Sequence, residues 1–164
     1  MKILVIALLA AGCIGMGYMF SLKYKKRYVF FKTLVMICQK LDVEINYSRE
    51  RLKNLFTGFD DKTKKNLQGL DKNFLAYLEN NAPLDEGTLF KGLNFLKQGE
   101  KDVILTFFRS LGRSDLASQS KELKNFEARF DDLSQSATSE HKKYGSLCLK
   151  LGIVAALVVV VLLV

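Results

Sequence analysis

Strongly apolar stretches lie near both ends of this chain, and a longer stretch of mixed apolar and polar positions separates them. Residues 3–22 carry no charge, and residues 147–164 carry only Lys150. A helix rises 1.5 Å per residue, so about 20 apolar residues span a hydrocarbon core of roughly 30 Å. We therefore predict transmembrane helices at residues 3–22 and 147–164, which flank a soluble domain of residues 23–146.

The first apolar stretch permits a second interpretation, as a cleaved signal peptide. Residues 9–13 (LAAGC) resemble a lipoprotein cleavage site, after which Cys13 would be lipidated. Ala10 stands where such sites prefer a larger aliphatic side chain, and apolar residues continue to Phe20. We therefore favour a retained transmembrane helix, with cleavage before Cys13 as the alternative.

Small residues recur at every fourth position in both apolar stretches. They are Ala7, Ala11 and Gly15 in the first stretch and Gly152 and Ala156 in the second. Such stripes let helix backbones approach closely in lipid. We predict that the two transmembrane helices pack antiparallel through these stripes; the alternative is that alanine and glycine are simply common in such helices.

The middle domain repeats its apolar residues at helical spacings of three and four. This pattern predicts helices at residues 28–56, 61–80, 86–97 and 103–111, and then one helix of about 50 residues from Leu116 into the second apolar stretch. Gly58 ends the first helix, Asp60 or Asp61 caps the second, and Pro83 follows it. We predict an all-α fold, an antiparallel helical bundle flanked by N- and C-terminal transmembrane helices, with Phe107 near the centre of the core.

Positive charge is concentrated beside the apolar stretches. Lys23, Lys25, Lys26, Arg27 and Lys32 follow the first, Lys142 and Lys143 precede the second, and Lys150 lies near the start of the second. Positive residues mark the cytoplasmic ends of transmembrane helices, which places the bundle in the cytoplasm and both termini outside. Such basic collars favour contact with anionic lipid headgroups. They account for the net charge of +8 without nucleic acid, which we do not expect as a partner.

The sequence offers no recognisable enzyme chemistry. Its three cysteines, Cys13, Cys38 and Cys148, form no C-x-x-C pair, and its single histidine, His141, completes no metal-ligand set. Paired carboxylates on one helix face, a glycine-rich phosphate loop, and a serine or cysteine beside a usable base are also missing. We therefore expect a non-enzymatic protein without metal or cofactor.

The segment LGRSD, followed by Gln119, predicts a tight turn between two helices. Gly112 suits the end of one helix, Ser114 the N-cap of the next, and Asp115 the positive end of its dipole. Gln119 lies one helical turn beyond Asp115, at a position where the repeat is otherwise apolar. Either Gln119 forms a hydrogen bond inside the bundle, or Arg113, Asp115 and Gln119 belong to a docking surface.

Motifs along nearly the whole chain resemble the stage III sporulation protein AB family, which is related to the platform protein F of type II secretion and type IV pilus systems. They are LDVEINY at residues 41–47 with Leu52, LGRSD with Gln119, Lys143-Tyr144, and Leu151-Gly152 at the start of an apolar tail. The family usually has proline before the residue that matches Leu52. This chain has Arg51 there, which bears on where the first long helix is interrupted.

The resemblance implies a non-enzymatic component of the channel that joins mother cell and forespore in endospore-forming bacteria. It implies a place in the mother-cell membrane facing the forespore, in contact with other channel membrane proteins. By analogy with the secretion platforms, the cytoplasmic bundle would seat a hexameric secretion-type ATPase. The alternative is a generic membrane-anchored coiled-coil or signalling module that forms a homo-oligomer. The apolar faces of the helices would be enough for such a module.

Overall fold

The computed structural model describes residues 2–44, 49–80, 84–111 and 116–163. Its helices are α1 (Lys2–Val43), α2 (Arg49–Thr57), α3 (Asp61–Leu67), α4 (Leu70–Asn80), α5 (Glu86–Leu89), α6 (Gln98–Ser110), α7 (Leu116–Glu140) and α8 (Ser146–Leu163). A π-helical turn, His141–Gly145, joins α7 to α8. These described residues contain helices and turns but no strand, which confirms the all-α prediction.

The chain divides into two compact units. Residues 1–28 and 135–164 form the first, which we call the hairpin unit, and residues 29–134 form the second, the bundle unit. Both divisions fall inside uninterrupted helices, α1 and α7. α1 and α7 therefore each contribute residues to both units.

Phenylalanine rings form the centre of the bundle unit. The ring centroid of Phe74 in α4 lies 4.9 Å from that of Phe56 in α2 and 4.4 Å from that of Phe108 in α6. The fully buried Phe107 lies 5.2 Å from Phe130 of α7, which confirms the central position predicted for it. Burial of each such ring stabilises the fold by about 1.5–3 kcal/mol before conformational entropy is subtracted.

Two side-chain hydrogen bonds show that α1 and α7 run antiparallel within the bundle unit. The amide of Gln39 donates to the Glu127 carboxylate at 2.8 Å, and the Ser120 hydroxyl donates to the Asp42 carboxylate at 2.7 Å. A later residue of α1 thus pairs with an earlier residue of α7. This direction is the one expected of an antiparallel bundle.

The first predicted bundle helix is wrong in its extent. α1 ends at Val43, and in its last turn the Glu44 N–H bonds to the carbonyl of Leu41 at 3.1 Å as well as to that of Lys40 at 3.3 Å. A separate helix, α2, begins at Arg49, and residues 45–48 lie outside the described residues. Gly58 follows the end of α2, as predicted.

Left-handed residues interrupt two further predicted helices. Gln68 (φ 54°) and Gly69 (φ 96°) separate α3 from α4 within the predicted helix 61–80. In the predicted helix 86–97 only Glu86–Leu89 is helical, and Gly92 lies at φ 84°. A right-handed helix cannot continue through such residues, although the apolar positions around them remain buried.

Candidate functional site

Within the part of the chain that the structure describes, two helical stretches are long and apolar enough to cross a membrane, Ile6–Val43 and Ser118–Leu162. Only 6% and 11% of their most apolar parts are buried, whereas the core helix of a soluble protein is mostly buried. Leu8 (68% exposed) and Val161 (78% exposed) are typical of the outward-facing side chains. Exposed apolar faces of this length are typical of helices in contact with lipid.

Two glycines bring the helices of the hairpin unit into backbone contact. A Cβ added to Gly17 would lie 2.7 Å from the carbonyl oxygen of Cys148 and 3.3 Å from the Cα of Gly152. A Cβ added to Gly152 would lie 2.9 Å from the carbonyl oxygen of Cys13. Any larger residue at either position would push the backbones apart, so small residues are a condition of this antiparallel contact.

In the first helix, the residues that contact α8 differ from those predicted. Gly152 and Ala156 are buried, but Ala7 and Ala11 are exposed, and a Cβ on Gly15 would meet nothing within 4 Å. Two residues correspond to about 200° of helical rotation, so Gly15 faces away when Gly17 faces α8. The pair Cys13 and Gly17, also four residues apart, is the sequence signal that the prediction missed.

Aromatic rings from both helices meet where the apolar sequences of the hairpin unit stop. The ring centroids of Tyr24 and Tyr144 lie 6.0 Å apart, and the Tyr28 ring stacks on His141 at 5.3 Å. Tyrosine is enriched at the boundary between membrane and water because it has an apolar body and a polar tip. We call these four residues, together with Arg27 and Glu140, the boundary belt.

An ion pair joins the two helices within the boundary belt. Arg27 donates a hydrogen bond to the Glu140 carboxylate, and the Arg27 side chain is only 6% exposed. A guanidinium buried to this degree requires a compensating charge. Glu140 is also the only acid in the sequence of the hairpin unit, so this pair neutralises the one negative charge there.

The π-helical turn lies inside the boundary belt and was not predicted. A Cβ added to Gly145 would lie 2.7 Å from Nδ1 of His141, so the close packing of this turn needs glycine. Nδ1 of His141 is buried and has no hydrogen-bond partner among the described residues. Stacking on Tyr28 and packing against Gly145 therefore hold the imidazole in place, and single π-helical turns of this kind are frequent at functional sites.

Almost all of the net charge of the protein lies in the hairpin unit. Residues 1–28 and 135–164 contain eight lysines and arginines and one acid, which amounts to +7 of the total +8. The bundle unit is nearly neutral by comparison, with 17 basic and 16 acidic residues. The excess of positive charge is thus a property of the hairpin unit and not of the bundle unit.

The predicted interaction motif falls largely outside the part of the chain that the structure describes. Gly112, Arg113, Ser114 and Asp115 belong to that excluded segment. Gln119 is described, and it is 5% exposed with an Nε2 that has no hydrogen-bond partner within the described ranges. Burial withdraws the Gln119 side chain from solvent, and hence from any surface that a partner would contact directly.

The bundle unit also carries an open groove of about 590 Å³ between the C-terminal end of α1 and α2. Met36, Val43 and Leu55 supply apolar lining, and Val43 is 86% exposed. The Lys40 ammonium lies 5.5 Å from the ring centroid of Phe59 at the same groove. Among the described residues no group of three or more His, Cys, Asp or Glu side chains is arranged to hold a metal ion.

Comparison with known protein families gives a match for this chain. The family model described as stage III sporulation protein AB matches residues 2–164. Comparison with curated proteins and with solved structures gives no match. Because the family match extends over both apolar helices and everything between them, the chain belongs to the stage III sporulation protein AB family.

Proposed function

We propose that this chain is a non-enzymatic platform in the channel between mother cell and forespore, and that its bundle unit seats a hexameric secretion-type ATPase. The family indicates a role in stage III of sporulation. The observation that carries the platform proposal is the hairpin unit, in which two lipid-facing helices contact each other at Gly17 and Gly152. Such a hairpin anchors the chain twice and leaves the residues between its helices to bind other proteins.

The charge distribution supports a cytoplasmic bundle unit. The basic residues follow the first apolar stretch and precede the second, so both collars adjoin the segment that contains the bundle. By the positive-inside rule, that side of the membrane is the cytoplasm. Tyr24 contacts Tyr144 and Tyr28 contacts His141, which supports a placement of both groups of basic residues at the same depth relative to the membrane.

The groove between α1 and α2 supports a protein-binding role for the bundle unit. It combines the exposed Val43 with Met36 and Leu55, and methionine is among the residue types enriched at protein interfaces. In this proposal the ATPase contacts the groove, and the other channel membrane proteins contact lipid-facing sides of the hairpin. Neither role requires a reactive side chain.

The ATPase proposal is tested by co-purification of the full chain, in mild detergent, with the secretion-type ATPase encoded by the same cell. We expect a stable complex with the unaltered chain and loss of most of the binding with Val43→Lys. The exposed substitution Lys124→Glu on α7 is the control and should leave binding intact. Absence of any complex with the unaltered chain, at a melting temperature that shows it to be folded, would refute the seating of the ATPase.

Orientation is tested separately by labelling cysteines in whole cells. A Thr57→Cys variant, exposed on α2, should react with a membrane-impermeant maleimide only after the membrane is broken. The controls are the same variant in broken cells, which should be labelled fully, and the unaltered chain, which measures labelling of the three native cysteines. Additional labelling of the Thr57→Cys variant from outside intact cells would place the bundle unit on the opposite side and overturn the proposed orientation.

A further inference from the structure

Five lysines of the hairpin unit lie at one level of the paired helices. They are Lys23, Lys25 and Lys26 of α1 and Lys142 and Lys143 of the π-helical turn, and all are exposed. The ring contacts Tyr24–Tyr144 and Tyr28–His141 fix this register, because they align residues 24–28 with residues 141–144. Two collars that are about 120 residues apart in sequence thus form a single basic cluster.

No acid of the described residues neutralises this cluster. None of the five lysines forms an ion pair within the described part of the chain, and the only acid of the hairpin unit, Glu140, is engaged by Arg27. The Lys143 ammonium lies 5.3 Å from the Tyr144 ring centroid, which holds it beside the aromatic pair. The ammonium groups are therefore left for anions from outside the chain.

We propose that this lysine cluster is a binding site for the phosphate headgroups of anionic phospholipids in the leaflet at the level of the boundary belt. The neighbouring tyrosines mark the depth of the headgroups, and the apolar helices begin immediately beyond them. A lipid bound here places its phosphate among the lysines and its acyl chains against exposed residues such as Met19. The source of the phosphate is thus the membrane itself and not a soluble anion.

The inference rests on the membrane placement given under the proposed function and is independent of the ATPase. Extraction of membranes at alkaline pH tests the placement alone, because a spanning hairpin stays in the pellet whichever lipids it prefers. A chain that stays in the pellet but shows no lipid preference refutes the lysine site only. A chain that is extracted refutes both.

Native mass spectrometry of the full chain, released from nanodiscs of equal phosphatidylglycerol and phosphatidylethanolamine, tests the site. We expect phosphatidylglycerol to be retained in preference to phosphatidylethanolamine. Each lysine at a membrane surface contributes about a fivefold factor in affinity, so Lys142→Gln/Lys143→Gln should lower the preference by roughly 25-fold. The pair Lys25→Gln/Lys26→Gln, on the other helix, should act similarly.

The matched control is Lys121→Gln/Lys124→Gln, two exposed lysines of α7 outside the hairpin unit. It removes the same charge and should leave the preference unchanged. Equal retention of the two lipids by the unaltered chain, or equal losses in the control and in the cluster variants, overturns the proposal. An excess of inorganic phosphate that abolishes the preference, where sodium chloride of equal ionic strength does not, would reassign the site to free phosphate and overturn the lipid assignment.

Discussion

Arg27 and Glu140 are 113 residues apart in sequence, and their side chains form an ion pair that joins the two helices of the hairpin unit within the boundary belt. Next to this pair Tyr28 stacks on His141. The pair therefore sets the register of the two helices at the polar end of the hairpin, as Gly17 and Gly152 do within the apolar part.

This ion pair should be energetically coupled. We expect Arg27→Ala and Glu140→Ala each to destabilise the protein, and the double variant to cost less than the sum, with a coupling of about 0.5–3 kcal/mol. The reason is that each single change removes an opposite charge from beside a side chain that is mostly buried. Unfolding of the four proteins by denaturant in the same detergent gives the coupling, and strictly additive effects would contradict it.

Gly17→Leu should separate the hairpin helices, whereas Gly15→Leu should not. The added side chain at residue 17 meets the backbone of Cys148 and Gly152, and overpacking of this kind costs about 1–3 kcal/mol. Gly15 has open space around it and is the matched control. The measurement is the melting temperature in detergent, and a larger decrease for Gly15→Leu would restore the stripe predicted from the sequence.

Phe107→Ala should be among the most destabilising single changes in the bundle unit. Its ring is fully buried and lies within 5.4 Å, between centroids, of Phe108, Phe126 and Phe130. Loss of a buried ring and the resulting cavity costs about 3–5 kcal/mol. Val43→Ala, at an exposed position, should change the free energy of unfolding little; similar effects of the two would contradict a core centred on Phe107.

Gln119→Leu should stabilise the bundle unit. The Gln119 amide donor is buried and has no partner among the described residues, which costs about 1–3 kcal/mol, and leucine removes the donor at similar volume. The control is Gln39→Leu, which removes an amide that donates to Glu127 at a solvent-exposed site and should bring no gain. A lower melting temperature for Gln119→Leu would instead indicate that this amide forms a hydrogen bond that the fold depends on.

Thr63→Val should raise the pKa of Asp60. The Thr63 hydroxyl donates to the Asp60 carboxylate, and this bond lowers the pKa of Asp60 below its ordinary 3.8. A lowered pKa adds stability that is present above about pH 4 and is lost as the pH falls through the folded-state value. The carboxyl chemical shift of Asp60, followed by NMR from about pH 2 to 6, should titrate higher in Thr63→Val, and an unchanged midpoint would show that the hydroxyl does not act on it.

The sequence alone determined the fold class and the presence of a long apolar helix toward each end of the chain. Helical spacing, a single proline and two apolar stretches are local properties, and each persists whatever the helices pack against. The breaks at Gln68 and Gly92 were missed because the apolar repeat continues through them, and only the left-handed backbone angles reveal the interruption. The turn at Gly112 lies outside the described residues and stays a prediction.

Only the tertiary structure decided which faces meet. Ala7, Ala11 and Gly15 fit the motif for close helix packing as well as Cys13 and Gly17 do, but a difference of two residues turns the helix by more than half a revolution. The pairing of Tyr24 with Tyr144 and of Arg27 with Glu140 likewise depends on the rotation and register of two distant segments. The spacing of apolar residues shows that a helix has an apolar side. Which residues of that side contact a second helix depends on how the side chains of both helices pack together.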